Sequence, residues 1–332
     1  MTTRINGRYP IKIMKVLVPI DDSSYSDAAV SSIGARQWPP GAQFLMYSVI
    51  NSYDKLIKFL PSSNTQKVIR LKDEQEQEVI RMLLRRCNLL RAALSDVHVE
   101  VAVDSGEPAA KIVETATDWG AQLIVMGSHG RHDVQLHALG SVTAQVIEQI
   151  PCSMEVIRVL NRPGKTWQDQ RRVLICYDGS EHSKAALDWV ACGAWAPHQE
   201  IAVVCVLNTI DNNVSIVSGL NHRKAAKLQQ EALMAAQSEL DRHVRRLRLR
   251  LPGVAIVGQV LEGYAAETIL SVAESFLADL IVMGAHSEQS GSDAVLGSVA
   301  KRIACESRCC VKVVRANPSV PDLDLLQHQH SF

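Results

Sequence analysis

Short apolar runs alternate along this chain with longer stretches whose apolar residues recur at helical spacing. KVLVPI (15–20), QFLMYSVI (43–50), QLIVM (122–126) and MEVIRV (154–159) are mostly apolar and read as buried strands, while HVEVAV (98–103) alternates with a strand's period of two. Between them, SSYSDAAVSSIGARQW (23–38) opens with Ser and Asp and continues Ala-rich, the pattern of a capped helix. Residues 65–95, including KDEQEQEVIRMLLRR (72–86), predict a long amphipathic helix. Pro108 falls where a helix accepts proline, in its first turn, and SVTAQVIEQI (141–150) reads as a further helix. Alternating strands and helices with near-continuous apolar strands predict a parallel sheet covered on both faces.

The pattern is written twice. Asp21 and Asp178 stand 157 residues apart, and the same offset relates Ser23 to Ser180, Trp38 to Trp195, Gly106 to Gly263, His129 to His286, and Gly140-Ser141 to Gly297-Ser298. A period this long marks a duplicated domain rather than a solenoid. The expected division is 14–160 for the first domain, 161–171 for a polar linker with Pro and Gly, 172–316 for the second domain, and 317–332 for a flexible tail. Residues 1–13 read either as an extension ahead of the first strand or as a misassigned start. The fifth strands, MEVIRV and VKVVRA (311–316), are short and apolar, so duplication lets two otherwise open edges satisfy each other within one chain, as an intramolecular pseudo-dimer. Whether two chains associate further as a homodimer is left open.

Composition narrows the function classes. Lys+Arg and Asp+Glu are both 35 among 332 residues, so no basic excess points to nucleic acid or an anionic membrane. No apolar run reaches the roughly 18–20 residues of a bilayer span, and the first residues lack the apolar core of a signal peptide. The expectation is a soluble, cytoplasmic protein. The cysteines number 8 and form no C-x2-C pair, which predicts buried or partly buried free thiols rather than a zinc site. Cys309 and Cys310, adjacent in a strand, should face opposite sides of the sheet.

The candidate chemistry lies in LIVMGSHGRHDVQLHALGSV (123–142), where a strand breaks into glycines spaced G-x2-G-x9-G and followed by serine. Gly127 sits at the carboxyl end of a strand, where open α/β sheets place ligands, and glycine there admits positive φ and close backbone approach. Gly140 and Ser141 open the next helix, whose free amides and dipole favour a phosphate. A glycine-rich turn with an ordinary helix cap is the alternative. The second copy, LIVMGAHSEQSGSDAVLGSV (280–299), carries Ser287 in place of the middle glycine. Other phosphate signatures fail: the G-K-T at Gly164–Thr166 has Val159 where a Walker loop needs glycine, and no G-x-G-x-x-G follows either first strand.

VLVPIDDSSYSDAAV (16–30) together with G-x2-G-x9-G-S after the fourth strand, in register twice, resembles the universal stress protein family in its tandem-domain form. The resemblance covers nearly all of residues 14–316. It implies an α/β fold of two tandem doubly wound domains, each a five-stranded parallel sheet of order 3-2-1-4-5. It further implies ATP as the ligand, with magnesium as an optional companion. By position, Asp21 would sit at the adenine and Val49 near the base or ribose, with Gly127, Gly130, Gly140 and Ser141 on the phosphates. The equivalents are Asp178, Val206, Gly284, Ser287, Gly297 and Ser298. A smaller departure is Asp22, where the family often has glycine, as Gly179 does here.

His129, His132 and His137 share the first loop without a set of four metal ligands and read as solvated, or as helping a phosphate when protonated. VRRLRLRLPG (244–253) reads as the solvated side and end of a helix, and Trp38 and Trp195 as packing at helix ends. The loop offers no base poised for an attacking water. The expected function is thus an ATP-binding stress or regulatory module with an unidentified regulatory protein as partner. A slow ATP hydrolase and a nucleotide-free scaffold are the alternatives.

Overall fold

The computed structural model describes residues 13–50, 52, 58, 60–130, 139–159, 172–193, 195–208, 222–286 and 296–316. The expected linker, the tail, Ser287, His132 and His137 lie outside the described residues.

In the first half the elements run β1 (Lys15–Pro19), α1 (Ser24–Gly34), β2 (Ala42–Ile50), α2 (Ser62–Ala93), β3 (Val97–Ser105), α3 (Pro108–Trp119), β4 (Leu123–Gly127), α4 (Ser141–Glu148) and β5 (Ser153–Ile157). The second half repeats them as β6 (Arg172–Cys176), α5 (Glu181–Ala191), β7 (Glu200–Leu207), α6 (His222–Arg250), β8 (Ala255–Glu262), α7 (Ala265–Ser275), β9 (Leu280–Gly284), α8 (Ser298–Glu306) and β10 (Cys310–Val314). The strands form one sheet of ten in the order β3-β2-β1-β4-β5-β10-β9-β6-β7-β8. Each half therefore has the order 3-2-1-4-5, all parallel. The halves join where β5 meets β10, the one antiparallel pair among the described strands.

The apolar runs are continuous because both faces of the sheet are covered. Val16 and Val18 of β1 belong to one core and Leu17 to the other; Phe44 and Met46 of β2 likewise oppose Leu45 and Tyr47. Helices α1, α2, α5 and α6 bury their apolar residues in the first core, and α3, α4, α7 and α8 in the second. Cys310 enters the first core and Cys309 the second, as strand alternation requires. None of the eight cysteines is in a disulfide, and Cys192 is the exposed one. It sits at the C-cap of α5, where the chain leaves the helix at the protein surface.

Local chemistry fixes several boundaries. Pro108 occupies the first turn of α3, and Gly120, at φ +71°, closes that helix in the left-handed conformation. The two tryptophans pack at helix ends, with Trp38 Nε1 donating to Ile33 O (2.9 Å) and Trp195 Nε1 to Val190 O (2.6 Å). Among the described residues no helix is long and apolar enough to cross a membrane.

Candidate functional site

A cleft of about 370 Å³ opens at the carboxyl ends of β1 and β4, the point where the strand order reverses. It is lined by Asp21, Val49, Gly127, Gly130, Gly140 and Ser141, so the structure brings the first-half candidates around one space. Such a volume lies within the range of small-ligand pockets, roughly 300–1,000 Å³.

Asp21 follows β1 and is held by the cap of the next helix. Its Oδ1 accepts from Ser23 Oγ (2.6 Å) and Ser23 N (3.2 Å), while Ser23 Oγ accepts from Ser26 N (3.2 Å) and so caps α1. The carboxylate therefore has a fixed orientation before any ligand arrives. Its other oxygen lies where a side chain at residue 130 would go: a Cβ on Gly130 would stand 2.7 Å from Asp21 Oδ2. The middle glycine of the motif makes room for the aspartate.

Gly127 has a different reason from the one its sequence context suggests. Its φ is outside the left-handed region, and a Cβ there would stand 2.7 Å from the backbone carbon of Tyr25. Gly284 repeats this, with a Cβ 2.8 Å from the backbone of His182 and Ser183. These glycines let the first turns of α1 and α5 pack onto the ends of β4 and β9. The positive φ expected of glycine in this region falls instead at Gly179 (+87°) and, in the first half, on Asp22 (+65°).

Gly140 precedes α4 with extended backbone (φ −61°, ψ 153°) and provides no side-chain cap. Its own N–H donates to Ser128 O (2.8 Å), which ties the helix start to the end of the β4 loop. The first turn of α4, Ser141 to Thr143, lines the cleft, and first-turn amides have no partner within a helix. Ser141 is exposed, whereas Thr143 is buried and gives its hydroxyl to Gly127 O (2.9 Å). Helix dipole and amides thus make this end of the cleft favourable to an anion.

Apolar side chains complete the lining, and the sequence does not mark them as such. Val79 of α2, Ile112 of α3 and Met126 of β4 line the space, together with Tyr47. The Tyr47 hydroxyl donates to Asp104 Oδ2 (2.8 Å), and burial raises its pKa well above the ordinary range. The signal for α2 and α3 was only their apolar stripe, which says that a helix packs but not that it borders a cavity.

The second half repeats the aspartate and its cap, with Asp178 Oδ1 accepting from Ser180 Oγ (2.6 Å) and Ser180 Oγ from Ser183 N (3.1 Å). Gly297 precedes α8 as Gly140 precedes α4, again without a side-chain cap; Ser298 opens that helix exposed, and Val206 is half-buried in β7. The surroundings differ. Tyr177 takes the place of Ile20 and is bonded to Glu239 Oε1 (2.6 Å) and His243 Nε2 (3.0 Å). His286 lies against the His182 ring at 5.1 Å and meets Arg315 at 3.0 Å, whereas its counterpart His129 lies against Tyr25. Among the described residues no group of three or more His, Cys, Asp and Glu is arranged to hold a metal ion.

Both halves match the model of the Universal stress protein family, over residues 12–158 and 170–315. Universal stress protein A homolog 2 of Coxiella burnetii is 35% identical over 75 residues, 23% of this chain and 51% of that protein, so the match spans about half that relative's length. A universal stress protein of Mycobacterium tuberculosis is 24% identical over 310 residues, covering 92% of this chain and 98% of that one. Among solved structures, that of a universal stress protein from Archaeoglobus fulgidus shares the fold, with a TM-score of 0.56 at 19% identity over 91% of this chain and 98% of that one.

Proposed function

Because the chain belongs to the universal stress protein family, we propose that its first half binds ATP in the cleft at the β1–β4 junction and acts through that occupancy as a stress-response regulator. The observation that carries this reading is the uncapped first turn of α4 opening onto a cleft with apolar walls. An adenine fits the apolar side, where Val49, Ile112 and Met126 offer contact area and Asp21 a fixed acceptor. Phosphates fit the α4 terminus, at the first-turn amides of Ser141 and Val142 and the exposed Ser141 hydroxyl, with Gly140 beside them putting no side chain in the way. Magnesium, where present, travels with the phosphates. Asp178, Val206, Gly284, Ser287, Gly297 and Ser298 are the corresponding positions of a second site. The chain acts by binding rather than turnover: among the described lining residues the one carboxylate, Asp21, is tied to the cap of α1, and the His129 beside it is buried.

Mass spectrometry of freshly purified, denatured protein should release ATP, and calorimetry should show its affinity fall at least about tenfold in Gly140→Glu. Protein that neither carries nor binds adenine nucleotide would sink the proposal. Sustained phosphate release near about one per second, within the ordinary enzyme range, would replace the regulator with a hydrolase.

A further inference from the structure

Glu155 and Lys312 stand at equivalent positions of the two halves, and the register sets them directly opposite each other in the β5–β10 pair, between Met154↔Val313 and Val156↔Val311. The local twofold relating the halves passes between them. Both are buried, at 0% and 2% exposure. Lys312 Nζ lies 3.3 Å from Glu155 Oε2 and 4.1 Å from the centre of the Trp189 ring. Arg36, two residues past the end of α1, holds the same carboxylate with two hydrogen bonds, of 2.8 and 2.5 Å.

This centre is not symmetric. The position equivalent to Arg36 is Gly193, where a Cβ would stand 2.5 Å from the Trp195 indole nitrogen, so the second half has no room for a matching cation. The position equivalent to Trp189 is the buried Ser32. The first half thus carries its own cation for its own carboxylate. The second half buries an ammonium whose carboxylate partner, among the described residues, comes from the first half.

We propose that Lys312 makes the β10 edge selective: it accepts a partner edge that presents a carboxylate at the facing position, as β5 does, and rejects a second copy of itself. In a β10–β10 pair of the same register, two Lys312 side chains would face each other with Cβ atoms about 5 Å apart. Each would be buried without an anion, and an uncompensated buried charge is strongly destabilising. A β5–β5 pair would instead carry two Arg36–Glu155 pairs and balance its charge. The selection is therefore one-sided. The second half needs the first, and the charges rather than the tether alone decide which edges join.

The whole chain, with a protease site introduced between residues 160 and 171, is cut in its native state. It is then mixed with isotope-labelled cut chain in low urea, and native mass spectrometry follows the exchange of pairs. First–second pairs should scramble their labels while second–second pairs stay at least about tenfold rarer than in the same experiment on Lys312→Met, where the rejected charge is gone. Lys312→Gln serves as the second neutral variant and should behave alike. Second–second pairs as abundant in the wild type as in the neutral variants, or no difference among the three proteins, overturns the proposal.

Discussion

Two glycines three residues apart are required for different reasons, and the difference is measurable. A methyl group on Gly127 meets the Tyr25 backbone, which cannot turn aside, whereas one on Gly130 meets a single carboxylate oxygen of Asp21. Gly127→Ala should therefore cost about 1–3 kcal/mol of stability, the usual penalty of overpacking. Gly130→Ala should leave the urea midpoint nearly unchanged and weaken nucleotide binding, because Asp21 swings away instead. Equilibrium unfolding and calorimetry on both variants check this, and equal stability losses would refute it. Asp22 shows the reverse case of a non-glycine residue in a glycine-like conformation. Aspartate tolerates φ +65° better than most residues, and Arg86 meets both Asp22 (2.8 Å) and Asp27 (2.7 Å), holding the turn against α2.

Among the helices, the contrast between α4 and α8 ranks the two halves. Both begin after an uncapped glycine, so both present first-turn amides. Their approaches differ: the first loop keeps Gly130 beside Asp21, while Ser287, Glu288 and Asp293 precede α8 in the sequence. Below Asp178, Tyr177 is engaged with Glu239 and His243 where the first half has the apolar Ile20. Added acidic residues disfavour a triphosphate, though exposed charges are screened over roughly 8 Å at physiological salt. The first half should thus bind ATP more tightly. Calorimetry should show Gly140→Glu removing the tighter site and Gly297→Glu leaving it intact; the opposite outcome reverses the ranking.

The whole molecule is held at its centre by charge as well as by strand pairing. Arg158 Nη2 donates to Ala304 O (2.9 Å) and Cys305 O (3.2 Å) in the last turn of α8, and Arg315 Nη1 to Ile150 O (2.7 Å) just past α4. Each half thus supplies a cation to the carboxyl end of the other's last helix, where the dipole favours it. At the seam itself, burial would raise the Glu155 pKa, but Arg36 and then Lys312 outweigh burial and hold it at about 2. A folded pKa below the unfolded one means that the unfolded chain binds the extra proton in acid. The stabilisation is present above about pH 4.3 and is lost as pH falls toward 2; such a shift is worth about 3 kcal/mol. Urea midpoints between pH 5 and pH 3 should fall steeply for the wild type and less steeply for Glu155→Gln, which is less stable throughout. Parallel slopes for the two proteins would remove Glu155 from the acid response.

Periodicity and repetition, both local or self-referential, made much of this protein legible before its structure. Continuous apolar runs such as KVLVP specified strands buried on both faces, the 157-residue offset specified a duplicated domain, and the apolar fifth strands specified that the halves would close on each other. The glycine spacing pointed to the end of β4, where the cleft lies, although the same spacing also suited a plain turn with an ordinary helix cap. What remained hidden depends on which residues meet across long separations. Nothing near Gly127 in the sequence says that Tyr25 will press on it, and nothing in KDEQEQEVIRMLLRR says that Val79 will wall a cavity. The Arg36–Glu155–Lys312 centre joins residues 119 and 157 positions apart. A charged residue in an apolar strand reads as a solvated edge until the register of the opposite strand is known. Strand register between distant segments is set by the packing of the whole sheet, so only the tertiary structure could turn an isolated Glu and an isolated Lys into a buried pair.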